Sequence, residues 1–110
     1  GVFFVILPAM NIVSREIPNE FMFYSAFPNP FNPSTTIRYD LPEDSFVTIK
    51  VYDMVGRHVK TLLNNKMSAG RRSIVWDSTN NFDQPVSAGT YFYTIRTDRY
   101  SQTKKMILLK

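Results

Sequence analysis

The sequence predicts an all-β domain, an immunoglobulin-like antiparallel β-sandwich of about seven strands. Two observations support this prediction. Apolar and polar residues alternate with a period of two along several short runs, which places one face of each run on a core and the other in water. Turn-forming residues separate these runs, and no long amphipathic pattern typical of a helix lies between them. Short, regularly spaced strands of this kind are typical of a sandwich.

The sandwich is expected to cover residues 21–110, and residues 1–20 to be a linker or the end of an upstream region. Residues 2–7 read VFFVIL, an apolar run that Pro8 ends. This run is too short to cross a bilayer, which takes about 20 apolar residues. A buried strand is one interpretation of it, and a truncated secretory signal is the alternative. Residues 8–20 contain two prolines and no sustained period, as linkers do.

Seven strands follow from the alternation. The run at 35–41 places Ile37, Tyr39 and Leu41 on one face. Turns are expected where Asn, Asp, Gly and Pro cluster, for example at residues 63–65. Trp76 is the largest core candidate, and truncating a buried Trp typically costs about 3–5 kcal/mol. The other predicted strands span residues 21–25, 46–53, 57–63, 71–77, 90–98 and 101–109.

A proline-rich segment at residues 27–34, FPNPFNPS, precedes the second strand. Each proline fixes φ and removes a backbone donor, and the residue before it becomes extended. The segment is therefore expected at an edge of the sandwich and not within a sheet. We expect Phe27 and Phe31 to dock on the sandwich. A ligand for a proline-recognition domain is the alternative interpretation.

The composition excludes several kinds of chemistry. The chain has 110 residues, a net charge of +4, no cysteine and one histidine, His58. It therefore offers no disulfide, no thiolate metal site, no cysteine nucleophile and no multi-histidine site. Asp77, Asn80, Asn81 and Asp83 provide oxygen atoms, but not at the spacing of an EF-hand loop, so we expect them to satisfy their own backbone. We expect His58 to be exposed, no cofactor or metal, and no enzymatic activity.

Nucleic acid and membrane are not expected as partners. A basic face interleaved with tyrosines would suit single-stranded nucleic acid, but lysines and arginines on exposed strand faces are also ordinary in soluble proteins. No stretch of the sequence is long and apolar enough for membrane insertion. The residues considered for such a basic face are Arg71, Arg72, Tyr91, Tyr93, Arg96, Arg99, Tyr100, Lys104 and Lys105.

The last residues, KKMILLK at 104–110, place four apolar residues in a row between lysines. One interpretation is a final sandwich strand whose lysines discourage aggregation. The other is a signal that a receptor recognises. An edge strand with open main-chain donors and basic flanks is a feature that a partner can bind by strand addition.

Residues 21–110 resemble the type A C-terminal sorting domain of type IX secretion substrates. The resemblance rests on PNPFNPSTTI at 28–37, VTIKVYD at 47–53, GTYFY at 89–93 and the lysine-rich end at 104–110. The middle of the chain, from Val47 to Tyr93, is also similar to the immunoglobulin-like domain of flagellar hook-capping proteins.

The resemblance implies a non-catalytic signal domain at the end of a secreted precursor. Such a domain directs an N-terminal cargo from the periplasm across the outer membrane, to the cell surface or the medium. Its partners are the secretion translocon and a sortase that removes it. By position, Gly89 and Tyr91 match the family's Gly-x-Tyr motif. The residues predicted for signal recognition are Gly89, Tyr91, Lys104, Lys105, Met106, Leu108 and Lys110.

Two other functions remain open at this point. A structural assembly module, of the hook-cap kind or appended to an enzyme, would continue past Lys110 in the parent protein. A carbohydrate-binding sandwich would need Trp76 exposed for stacking on sugars, whereas the alternation around Trp76 indicates burial.

Overall fold

The computed structural model describes residues 17–110, which form two antiparallel sheets packed face to face. The apolar run at 2–7 and most of the predicted linker lie outside the described residues. A three-stranded sheet has the order β1-β2-β5, and a four-stranded sheet has the order β4-β3-β6-β7. The strands are β1 (Met22–Phe23), β2 (Thr35–Leu41), β3 (Ser45–Tyr52), β4 (His58–Met67), β5 (Gly70–Trp76), β6 (Gly89–Arg96) and β7 (Ser101–Leu108).

This architecture confirms the predicted all-β sandwich. The fourth strand pairs with β3, whereas in a constant-type immunoglobulin domain the fourth strand joins the sheet of the first, second and fifth strands. The four-stranded sheet therefore has β4 at one edge and β7 at the other. The end of the chain thus forms a sheet edge and does not lie within a sheet.

The core lies between the inner faces of the two sheets, as the period of two predicts. Trp76 is fully buried, and its indole Nε1 donates a hydrogen bond to the carbonyl of Thr79 at 2.9 Å. The interpretation as a carbohydrate-binding domain with an exposed Trp76 is therefore wrong. The buried core side chains on the strands include Phe23, Ile37, Tyr39, Leu41, Val47, Ile49, Val51, Trp76, Tyr91, Tyr93, Ile95, Met106 and Leu108.

The turn predicted at residues 63–65 is wrong, because β4 continues to Met67. Asn64 and Asn65 are paired with Thr48 and Val47 of β3, and the Thr48 hydroxyl donates to Asn64 Oδ1 at 3.0 Å. Cross-strand pairing outweighs the turn preference of asparagine here. The chain turns instead after Met67, where the amide of Ala69 donates to Asp44 Oδ1 at 2.9 Å.

The Asx-rich loop between β5 and β6 satisfies its own backbone at Asp77 and Asn80, as predicted. The prediction is wrong for Asn81 and Asp83, whose side chains bond to β4 instead, at the amide of Thr61 and the ammonium of Lys60. Asn80 Oδ1 accepts hydrogen bonds from the amides of Phe82 and Gln84. The hydroxyl of Thr79 donates to Asp77 and lowers the pKa of that carboxyl. Within residues 17–110, no three potential metal ligands gather into a group that could hold an ion. His58 is exposed on β4, also as predicted.

Candidate functional site

The terminal strand β7 separates its apolar residues onto two faces. It pairs with β6 along its whole length, from Arg96 opposite Ser101 to Gly89 opposite Leu108. Met106 and Leu108 point into the core and are 0% and 1% exposed, whereas Ile107 and Leu109 are 37% and 52% exposed. The apolar end of the sequence therefore anchors the strand and also leaves apolar surface in solvent.

The three predicted lysines occupy different positions around this strand. Lys105 is exposed on the outer face of the sheet, and Lys110 is exposed beyond the strand end. Lys104 is half-buried and lies opposite Tyr93, on the side that faces the core. None of the three forms an ion pair with an acid in residues 17–110. Their charges are therefore not neutralised locally.

Gly89 and Tyr91 shape the start of β6, directly opposite the end of β7. Gly89 has a φ of +148°, a region in which glycine is favoured over other residues. Tyr91 is buried with its ring 5.1 Å from that of Trp76, and its hydroxyl donates to the carbonyl of Ser87 at 2.5 Å. Burial and the nearby charge of Asp53 raise the pKa of Tyr91. The Gly-x-Tyr motif therefore has a structural role in the fold.

The predicted recognition residues thus divide by accessibility. The side chains of Tyr91, Met106 and Leu108 lie in the core, so a receptor cannot touch them while the domain is folded. Gly89, Lys105 and Lys110 are exposed, and Lys104 is partly exposed. The role of these residues in recognition stays a prediction.

The second half of β7 does not have the open edge that the sequence suggested, because residues 29–31 lie against it. We call these residues the strap. The side chain of Asn29 bonds like a peptide group: its Nδ2 donates to the carbonyl of Lys105 at 3.3 Å, and its Oδ1 accepts from the amide of Ile107 at 3.0 Å. Asn29 lies between two prolines that have no amide to offer, so its side chain replaces the missing donor.

Phe31 completes the strap. Its amide donates to the carbonyl of Ile107 at 2.9 Å, and its carbonyl accepts from the amide of Leu109 at 2.8 Å. Its ring is 2% exposed and lies 5.7 Å from the ring of Trp76. The predicted docking of Phe31 and the edge position of the segment are confirmed. The docking of Phe27 is wrong: this side chain is 74% exposed, because its backbone bridge to Thr36 directs it outward.

The first half of β7 is open. Ile107 and Leu109 present their amides to the strap, and the alternation of a strand directs the backbone groups of Thr103 to the same side. No hydrogen bond from the described part of the chain reaches Thr103 on that side. The edge therefore changes from closed to open near Lys105.

The basic face interleaved with tyrosines, considered for nucleic acid, does not form. Arg71 and Arg72 belong to the three-stranded sheet, whereas Arg96 and Lys105 belong to the four-stranded sheet. Tyr91 and Tyr93 lie in the core and are not free to stack on bases. Across residues 17–110, no helix has the length and apolar character needed to cross a bilayer.

Sequence comparison identifies the family. A family model described as "Secretion system C-terminal sorting domain" matches residues 25–109. The chain therefore belongs to this family, the sorting domains of type IX secretion, and it is part of a secreted protein. No curated protein sequence matches the chain at a significant level.

Solved structures share this fold. Latent dimeric PorU from Porphyromonas gingivalis is similar over 79% of this chain, with 27% identity and a TM-score of 0.65. PorZ, a surface component of the type IX secretion system of the same bacterium, matches 80% of this chain with 16% identity and a TM-score of 0.55. The match spans only 9% of the PorU chain and 11% of the PorZ chain.

The hook-capping protein FlgD shares the fold. FlgD from Xanthomonas campestris matches 83% of this chain and 63% of its own, with 24% identity and a TM-score of 0.53. At this identity the likeness concerns the fold alone.

Proposed function

We propose that this domain is a non-catalytic signal that carries an N-terminal cargo across the outer membrane by type IX secretion. The observation that supports the proposal best is the position of β7. In a domain of the sorting family, the lysine-bearing end of the sequence forms a sheet edge with Lys105 and Lys110 exposed. A receptor can therefore reach it while the domain remains folded.

The proposal extends to the fate of the cargo. The precursor passes through the periplasm, the translocon binds the folded domain, and a sortase removes it, after which the cargo is attached to the surface or released. The domain itself contributes binding surface and no reacting group to these steps.

A reporter fusion tests the proposal. The full 110-residue chain is fused to the C-terminus of a periplasmic reporter and expressed in a type IX-competent host and in an isogenic host without the translocon. We expect the reporter at the surface or in the medium of the first host only. Mass spectrometry of the exported reporter then shows whether the domain has been removed. Retention in the periplasm of both hosts would contradict the proposal.

Deleting the last eight residues is not a clean control for this experiment. The deletion removes Met106 and Leu108, which are fully buried, and a buried Met or Leu typically contributes about 2–5 kcal/mol. A loss of export could then result from unfolding as well as from loss of the signal. Substitutions at the exposed lysines separate the two.

A further inference from the structure

We propose that the outer face of the four-stranded sheet is a docking surface for an acidic protein segment. Each of the four strands contributes one outward-facing cation to this face. These cations are Lys66 on β4, Lys50 on β3, Arg96 on β6 and Lys105 on β7. This surface shares Lys105 with the proposed signal, but it extends over all four strands, and the variants that test it leave Lys105 unchanged.

No strand of this sheet carries an acidic residue. The ion pairs of the described chain all lie elsewhere, in Arg57–Asp53, Lys60–Asp83 and Arg99–Glu43. Within residues 17–110, none of the four cations of the face pairs with a carboxylate, so the described chain does not cancel their field locally. The acids of residues 17–110 lie outside these strands, at Glu20, Asp40, Glu43, Asp44, Asp53, Asp77, Asp83 and Asp98.

The register of the sheet places hydrogen-bonding groups between these cations. Lys50 lies between Thr61 of β4 and Thr94 of β6, and Thr48 lies beside Arg96. A groove of about 350 Å³ runs over this part of the face, and its lining includes Lys50, Arg96 and the threonines. Two cations flanked by hydroxyl groups can hold a carboxylate side chain by charge-assisted hydrogen bonds.

Exposed apolar side chains at both ends of the face favour a protein over another polyanion. Phe46 is 48% exposed at one end, and Ile107 and Leu109 are 37% and 52% exposed at the other. Protein interfaces combine apolar anchors with a polar rim. A double-stranded nucleic acid or an anionic glycan would engage the cations through its charged groups and would leave these three side chains in water.

The outer face of the three-stranded sheet is the matched contrast. It also carries arginines, but Asp40 lies on β2 directly opposite Arg71 of β5. Arg38 lies over the ring of Tyr24 at 4.9 Å, and the hydroxyl of Tyr24 donates to Asp40. A carboxylate within this face offsets its positive charge, so we expect it to bind acidic segments less well.

An NMR titration of the full, ¹⁵N-labelled chain tests the proposal. The probe is a twelve-residue peptide of alternating glutamate and valine, compared with its Gln/Val and Glu/Ser counterparts, with heparin and with phosphatidylglycerol vesicles. We expect the Glu/Val peptide to bind most tightly and to shift the amides of Lys50, Thr94 and Arg96. We expect Lys50→Glu combined with Arg96→Glu to weaken its binding roughly tenfold, with the melting temperature measured to confirm folding.

Arg38→Glu combined with Arg71→Glu is the matched control and should leave peptide binding unchanged. The proposal is overturned if the Gln/Val peptide binds equally well, or if the shifts map to the three-stranded sheet. It is also overturned if the Glu/Ser peptide, heparin or the vesicles bind more tightly than the Glu/Val peptide, because the surface would then recognise charge without apolar anchors. Absence of binding by every probe contradicts it too.

Discussion

Along β7, the residues before Lys105 and those after it have different surroundings. Among the later residues, the side chains of Met106 and Leu108 lie in the core, and the backbone of Ile107 and Leu109 is bonded to the strap at Asn29 and Phe31, which closes the edge. The earlier residues have exposed or half-buried side chains, and no residue of 17–110 bonds to their outer edge. The comparison shows that the buried Met106 and Leu108 hold the strand in the sandwich. The features that a partner can reach are the lysines and the backbone near Thr103.

The largest effect is expected where the strap meets the core. Phe31→Ala should lower the free energy of unfolding by about 3–5 kcal/mol, because it empties a buried aromatic site beside Trp76. Phe27→Ala, on an exposed side chain of the same segment, should change it by less than about 0.5 kcal/mol. Urea unfolding of both variants measures the difference. Equal losses would show that the strap does not pack as described.

Tyr93 links β6 to Ala26, the residue just before the proline-rich segment at 27–34. Its hydroxyl accepts a hydrogen bond from the amide of Ala26 at 2.7 Å. Tyr93→Phe leaves that buried amide unpaired, which should cost about 1–3 kcal/mol in urea unfolding at neutral pH. A cost near zero would mean that this hydrogen bond does not hold the segment in place.

The same tyrosine gives a pH dependence. Burial raises the pKa of Tyr93 above its ordinary value of 10.0, and the amide of Ala26 partly opposes this shift. Because the unfolded chain ionises first, the stability from the neutral phenol is present below about pH 10 and is lost as pH rises above it. Tyr93→Phe should make the fall in the free energy of unfolding with pH shallower. Part of the fall should remain, because the buried Tyr39 and Tyr91 also have raised pKa values. An unchanged slope would contradict the assignment.

A smaller effect is expected at Asn29. Asn29→Ala removes two side-chain hydrogen bonds to β7, at Lys105 and Ile107, and should cost about 1–2 kcal/mol. Hydrogen exchange at the amide of Ile107 should accelerate, while that of Leu109, which bonds to Phe31, should change less. Asn32→Ala is the control, because Asn32 is exposed and makes no side-chain hydrogen bond in residues 17–110. Similar exchange in both variants would argue against the strap.

The smallest effect is expected in the open half of the strand. Thr103→Pro removes an amide that bonds to nothing in the described chain, and proline is tolerated on edge strands at such positions. We expect a change below about 1 kcal/mol. Lys104→Pro removes an amide that faces β6 opposite Tyr93 and should cost clearly more by thermal unfolding. A larger loss of stability for Thr103→Pro than for Lys104→Pro would contradict the assignment of Thr103 to the open edge.

Much of the fold follows from sequence, because local alternation decides which residues face the core. The strands around Ile37, Ile49 and Tyr93 are recovered closely. The end of β4 is not, since Asn64 and Asn65 favour turns on their own and only their partners on β3 hold them in a strand. Cross-strand pairing of this kind cannot be seen in a local pattern.

The candidate site was less predictable. The basic and apolar residues at 104–110 are evident in the sequence, but their separation into buried and exposed positions depends on the neighbour of β7. The strap joins residues about 76 positions apart in the chain, and nothing local indicates that pairing. An asparagine between two prolines was the one available signal, since it carries the only side-chain donor in residues 28–30 and both prolines lack a backbone donor. Once the strands are located, the sequence alone shows that β3, β4, β6 and β7 contain no acidic residue.

The most direct test of the account is export of the reporter fusion carrying Lys105→Glu and Lys110→Glu, with the melting temperature of the purified variant measured in parallel. These lysines are exposed and form no ion pair in the described chain, so we expect unchanged stability and a strong loss of export. Arg38→Glu, on the exposed face of the three-stranded sheet, should be exported normally. Full export of the double variant as a folded protein would contradict the claim that the accessible end of β7 is the signal.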